Sequence, residues 1–282
     1  MTARLLAPVW AWLAAFVAVP AGVLLALAFA TPVEGVPPFR LGFSFDAFGL
    51  ALGDAVYREA LWGSLRIGGM TAGLCLLVGY PMALAIARSR RRALLLALVV
   101  LPFWSGYLLR TLAWIGILRD EGWLNGMLLG LGVIAAPLPM LHSEGAMLVG
   151  LVYTYLPFLI LPLEARLAAA DPALEAAAAD LGASPWQVFW RVSLPLSLPG
   201  VGAGLLLVFV PVAGEVVIPA LLGAPDSLTL GRTIWEEFFA NRDWPQASAL
   251  ALVLLVIVLG VGKAGFFFGK KNQKTFGTFG EG

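Results

Sequence analysis

Six stretches of mostly apolar residues, each about 20 residues or longer, dominate this chain and leave few folds open to it. They lie near Pro8–Ala30, Leu61–Ala87, Ala93–Leu118, Ala146–Leu167, Val201–Leu222 and Ala247–Phe267. Wound as α-helices, such runs match the thickness of a bilayer's hydrocarbon core and satisfy their own backbone hydrogen bonds. Only 12% of the residues are charged and 60% are hydrophobic, whereas soluble domains carry roughly a quarter charged residues. The expectation is an all-α membrane protein of about six transmembrane helices. The first run, preceded by Arg4 and ending in Ala28-Phe29-Ala30, resembles a signal peptide with a cleavage site. Its length from Leu5 to Ala30 far exceeds the ~7–15-residue apolar core of a signal, so it is read as a retained span.

The short loops orient the bundle. Arg88-Ser89-Arg90-Arg91-Arg92 follows the second span, and the C-terminal end of the chain carries Lys263, Lys270, Lys271 and Lys274. With Arg4, these assign both termini to the cytoplasm, because basic residues concentrate on the inner side. The segments 31–60, 119–145 and 223–246, rich in Asp and Glu, then face outward. The net charge of +1 gives no reason to expect a nucleic-acid partner.

Between the fourth and fifth spans, on the cytoplasmic side, lies Asp171–Gly200, DPALEAAAADLGASPWQVFWRVSLPLSLPG. Asp171 is placed to cap a helix whose first residue is Pro172, where a missing N–H costs nothing. Leu174, Ala177, Ala178 and Leu181 recur at i, i+3, i+4, i+7 and make one apolar stripe, and Gly182 supplies a C-terminal stop. Ser184, Pro185 and Gln187 repeat the start signal as cap, first position and capping-box partner. Trp186, Phe189 and Trp190 form an aromatic face, and Leu194-Pro195 with Leu198-Pro199 is expected to break the chain. The unit reads as helix, glycine hinge, helix and proline exit. Lying on a membrane surface would require a face rich in Lys and Arg, and only Arg191 is present; docking of a partner protein is the stronger reading.

Within the spans, Gly69-xxx-Gly73 and Gly200-xxx-Gly204 have the spacing of close helix packing. Pro102, Pro157, Pro162, Pro211 and Pro219 are expected to interrupt spans three to five, either lining a cavity or producing ordinary kinks. Glu215, in PVAGEVVIP, is a carboxylate at membrane depth, which suits a transport pathway or a pair with an arginine of the bundle. Arg66 and Arg110 lie near span ends, where long stems reach the interface. Glu164 and Arg166 are expected to flank the docking unit. Trp104, Tyr107, Trp114, Tyr153, Tyr155 and Phe158 fit an interfacial aromatic belt or cation–π contacts to an amine.

Several chemistries are missing from the sequence. Cys75, the only cysteine, lies in an apolar run, and His142, the only histidine, has no metal-ligating neighbour. No catalytic constellation and no metal site is expected. Gly262-Lys263 and Gly269-Lys270 lack the upstream glycine of a phosphate-binding loop, so energy from ATP would have to be taken up by another chain.

The docking stretch resembles the signature of permease subunits of ATP-binding-cassette (ABC) importers: E-A-A, three residues, G, nine residues, I, one residue, L-P. Anchored on Gly182, this chain has Val192 at the Ile position and Leu194-Pro195 at the Leu-Pro position. Ala176 stands where the glutamate is expected, with Glu175 one residue early. Leu101–Leu118, Glu121–Ile134 and Gly214–Ala249 further resemble the B/H-type permeases of polyamine importers, over roughly Leu61 to Leu259.

The resemblance implies a type I importer bundle with a cytoplasmic coupling-helix loop, divided into an N-terminal span with its loop (1–60), a core (61–268) and a tail (269–282). It implies that Glu175, Ala176, Ala177, Asp180, Leu181, Gly182, Ala183, Ser184, Pro185, Phe189, Leu194 and Pro195 couple to an ATPase. Glu215, Trp104, Tyr107, Tyr153 and Asp226 are the candidates for the substrate path. The implied partners are a second, homologous permease, two copies of an ATPase that binds ATP and Mg, an external binding protein and membrane lipid, in a bacterial inner membrane. No cofactor is expected on this chain. The implied cargo is putrescine or spermidine; the alternatives are an oxyanion or ferric ion, or a stand-alone secondary transporter.

Overall fold

The computed structural model describes the backbone of residues 2–277 and the side chains of Leu6 and of residues 8–263. The side chains of Arg4, Lys270, Lys271 and Lys274, and those of the tail, lie outside it. Among the described residues every regular element is helical except one hairpin of two two-residue strands. In order it forms α1 (Thr2–Ala28), β1 (Thr31–Pro32), β2 (Phe39–Arg40), α2 (Asp46–Gly53), α3 (Ala55–Ala87), α4 (Arg92–Val100), a 3₁₀ turn (Leu101–Trp104), α5 (Tyr107–Leu118), α6 (Trp123–Gly130) and α7 (Glu144–Ala168). There follow α8 (Pro172–Asp180), α9 (Pro185–Val188), a π-helical turn (Phe189–Ser193), α10 (Leu194–Ala213), α11 (Val217–Leu222), α12 (Leu230–Phe239) and α13 (Trp244–Gly277). Among the described residues, five helices are long and apolar enough to cross a membrane, and a sixth span is formed if the bent pair Arg92–Trp104 and Tyr107–Gly130 counts as one.

The chain divides into two compact units. One contains residues 1–64 and 228–258. Its core is built from Ala51, Ala60, Leu230 and Leu250 and, beside them, Ala28, Ala47 and Ala249. Small residues let these helices approach closely, and two long-range hydrogen bonds fix them: Leu230 N–H to Ser64 Oγ at 2.8 Å and Tyr57 OH to Glu237 Oε1 at 2.9 Å. Only 6% of the apolar window of α1 is buried within the chain, as suits a helix that meets lipid.

The other unit contains residues 65–227 and 259–282, with a core that includes Cys75, Met147, Leu151, Leu159, Ile160, Leu163, Val208 and Leu222. Its centre is α7, against which α10 packs along its length. Gly200 and Gly204 make this possible. A Cβ at Gly200 would lie 2.9 Å from Arg166 Cβ and 3.0 Å from the Pro162 carbonyl oxygen, and one at Gly204 would lie 3.1 Å from Leu159 Cα. Gly69 and Gly73, with the same spacing, have open space before them and close no helix pair.

Three other expectations are corrected. Pro157 and Pro162 do not interrupt the fourth span: α7 runs unbroken through both. The third span is broken at Pro102 as expected, by 89°, where Pro102 sits in the 3₁₀ turn and Ser105-Gly106 separates it from α5. Arg110 does not reach for an interface there. It donates to the carbonyls of Pro102 at 2.6 Å and Ser105 at 2.7 Å, on the two sides of the break. The fifth span ends at Ala213, because Gly214 and Glu215 separate it from α11.

The two glycine pairs give a matched test. Gly200→Ala adds a methyl group against atoms that cannot swing away, with an overpacking cost of about 1–3 kcal/mol, and is expected to lower the thermal unfolding midpoint of the purified protein. Gly69→Ala meets nothing and gains helix propensity, so its midpoint is expected to stay level or rise.

Candidate functional site

The unit between α7 and α10 forms as its local chemistry dictates. The Asp171 carboxylate accepts from Ala173 N–H at 2.9 Å and caps α8. The helix ends in a Schellman arrangement: Gly182 N–H bonds to Ala179 O at 2.8 Å and Ala183 N–H to Ala178 O at 3.1 Å. Gly182 has φ +85°, the left-handed region in which a side chain is strained. Ser184 and Gln187 complete a reciprocal capping box at the start of α9.

The proline exit does not form. A π-helical turn over Phe189–Ser193 joins α9 to α10, so the chain is helical from Pro185 to Ala213. Leu194 N–H reaches back five residues to Phe189 O. This wider turn accommodates Pro195, which cannot donate and whose ring would crowd a regular α-turn. Leu194 and Pro195 are half-buried at the start of α10.

Most of the predicted coupling residues lie on the surface. Ala176, Ala177, Asp180, Gly182, Ser184 and Pro185 are exposed, and Ala183 and Phe189 are half-buried. Leu181 is 90% exposed and Trp186 69% exposed, with Leu174 and Trp190 beside them. An apolar stripe so little covered by its own chain is a surface for a partner. Phe189 joins this surface to the spans: its ring stacks on Trp186 with centroids 5.7 Å apart and lies edge-on to Tyr80 of α3 at 5.6 Å.

Glu175 does not join that surface. Its carboxylate accepts two hydrogen bonds from Arg88 at 2.8 Å, just beyond the end of α3, and one from Ser193 Oγ at 2.6 Å in the π turn. Arg88 and Ser193 were not singled out by sequence; Arg88 was visible only as one of a basic run. Both members of the ion pair are partly exposed, so its contribution to stability is small, of order 0.2–1 kcal/mol. What it fixes is position. Nearby, Glu164 of α7 is buried and holds Arg92 of α4 by two hydrogen bonds, while Arg166 donates to Leu196 O at 3.1 Å. A cavity of about 30 Å³, room for little more than water, is lined by Arg88, Arg166, Glu175, Ser193 and Ser197.

The second cluster surrounds Glu215, at the break between α10 and α11. One carboxylate oxygen accepts from Val216 N–H at 3.1 Å and Val217 N–H at 3.0 Å, two amides freed at the start of α11. The other accepts from the Tyr155 hydroxyl of α7. No arginine is among these partners. Tyr107 of α5 is near enough to feel the Glu215 charge, and its buried hydroxyl has no hydrogen-bond partner of normal geometry. Tyr155, among the aromatics noted but not proposed for the path, thus belongs here. Trp104 is 86% exposed, Asp226 lies on an exposed turn, and Tyr153 packs on Trp114 with centroids 5.6 Å apart. No cluster of metal-ligating residues occurs among the described residues.

Comparison with known proteins places this arrangement. The family described as the binding-protein-dependent transport system inner membrane component matches residues 6–264. The spermidine/putrescine transport system permease protein PotB of Haemophilus influenzae is 40% identical over 258 residues, covering 89% of this chain and 87% of that protein. The protein of the same description in Escherichia coli is 36% identical, covering 88% and 90%. A solved bacterial alginate ABC transporter, in complex with an alginate pentasaccharide-bound periplasmic protein, aligns with a TM-score of 0.72 over 94% of this chain and 92% of that one, at 21% identity.

The glycine stop sets a prediction for the docking surface. Gly182→Ala strains a left-handed residue by roughly 1–2 kcal/mol, so hydrogen exchange at the amides of residues 182 and 183 is expected to speed up while the protection of α7 and α10 stays unchanged.

Proposed function

This chain belongs to the family of binding-protein-dependent transport system inner membrane components, and from that membership we propose that it forms half of the membrane pathway of an ATP-driven polyamine importer. The observation that carries the proposal is the exposed stripe of Leu174, Leu181 and Trp186 on a chain that has no phosphate-binding loop of its own. Energy enters there, from an ATPase that binds ATP and Mg. The protein spans a bacterial inner membrane with the docking unit and both termini in the cytoplasm. The basic loop supports this orientation, since Arg88 lies directly beside the docking unit. A second, homologous permease completes the path, two ATPase copies dock from the cytoplasm, and an external binding protein delivers the cargo.

Putrescine or spermidine is the cargo, by likeness to the relatives. A polycation needs an anion and aromatic or hydroxyl acceptors along its way. Glu215 provides the charge, and the buried Tyr107 hydroxyl near it provides an acceptor for an ammonium N–H. Tyr155 and the two backbone amides hold the carboxylate in place. Trp104, Tyr153 and Asp226 stand farther along the same path. Coupling requires that ATP and cargo each prefer one state of the permease pair over the other.

Reconstitution with the partner permease, the ATPase and the binding protein tests this reading. ATP-dependent uptake of labelled putrescine or spermidine is expected; ATP hydrolysis without import of either contradicts the polyamine assignment. Leu181→Asp is expected to abolish co-purification of the ATPase. Glu215→Gln is expected to leave the complex assembled and reduce uptake about tenfold or more, the scale of a lost charged hydrogen bond.

A further inference from the structure

In this chain the carboxylate nearest the motif glutamate position faces inward. Glu175 is tied to Arg88, which follows α3, and to Ser193, which lies in the π turn leading into α10. These partners come from stretches 87 residues before it and 18 residues after it. Ser193 is 3% exposed, so the bond reaches into the body of the unit. Two further contacts fasten the same end of α3: the Tyr80 hydroxyl pairs with Ser197 Oγ at 2.9 Å, and the Tyr80 ring lies edge-on to Phe189. One guanidinium nitrogen of Arg88 bridges both carboxylate oxygens, and the Ser193 hydroxyl approaches one of them, so the carboxylate is held from two sides.

We infer that Glu175 is a positioning residue which ties α8 to α3 and α10 through Arg88 and Ser193, so that displacement of the docking surface moves these two spans directly. The inference rests on reading the chain as an ATP-driven permease. Without the tie, α8 connects to the spans through its two short linkers and its packing on α9 and the π turn. The ATPase would still bind the exposed Leu181 and Trp186 and still hydrolyse ATP, but each stroke would be passed on less completely.

The test uses the reconstituted complex and compares cargo imported per ATP hydrolysed. Arg88→Ala and Glu175→Ala are each expected to lower that ratio about threefold or more, with the ATPase still co-purifying. The double variant is expected to be no worse than Glu175→Ala alone, because that change already removes the bonds to both Arg88 and Ser193. The exchange of Arg88→Glu with Glu175→Arg, which restores a pair of opposite charges, is expected to recover much of the ratio. Loss of ATPase binding on Glu175→Ala but not on Arg88→Ala would overturn the inference and make Glu175 a docking contact. A lowered unfolding midpoint with an unchanged ratio would also overturn it. Failure of wild-type uptake with ATP would instead contradict the permease reading itself.

Discussion

The close approach of α10 to α7 is the constraint on which the larger unit depends. With hydrogen atoms at 200 and 204 the two backbones meet at van der Waals distance, and in lipid such packing has to hold helices together without a hydrophobic driving force. α7 carries Glu164 and Arg166 at the end where the docking unit departs, and α10 is where that unit returns. The docking unit is therefore anchored at both ends to one tightly packed helix pair. Its caps, which are local, shape it; the pair beneath it determines where it points.

Both broken spans follow one rule. A helix break in an apolar setting exposes backbone groups, and each orphan costs several kcal/mol, of order 2–7. At the third span the exposed groups are carbonyls, and Arg110 supplies donors to those of Pro102 and Ser105, the first already shared with Ser105 N–H. At the fifth they are the amides that open α11, and Glu215 supplies an acceptor. A charged residue at membrane depth thus has a structural duty before any contact with cargo. For Glu215 the two duties coincide, since the amides that use the carboxylate also immobilise it.

The local parts of this architecture were legible in the sequence because local rules made them. Asp171, Gly182, Ser184 and Gln187 act as their types and spacing foretell. Family resemblance in the docking stretch was readable for the same reason, since the motif is short and contiguous. Long-range choices were not legible. Nothing in the spacing separates Gly200-xxx-Gly204, which meets α7, from Gly69-xxx-Gly73, which meets nothing. Proline was a poor guide to breaks: α7 absorbs two, a π turn accommodates Pro195, and the third span gives way where Ser105 and Gly106 follow Pro102. The partners of Glu175 and Glu215 come from distant segments, which a sequence read residue by residue does not pair.

On this account the docking unit and α3 behave as one body when the ATPase closes. Pulsed electron spin resonance measures this most directly, with labels at Ala179 of α8 and Leu77 of α3, both exposed, in a chain whose Cys75 is replaced. The full complex is compared without nucleotide and trapped with ATP. The account predicts the same distance between the two labels in both states. A shift larger than the width of the distance distribution would contradict it, because α8 would then move without carrying α3.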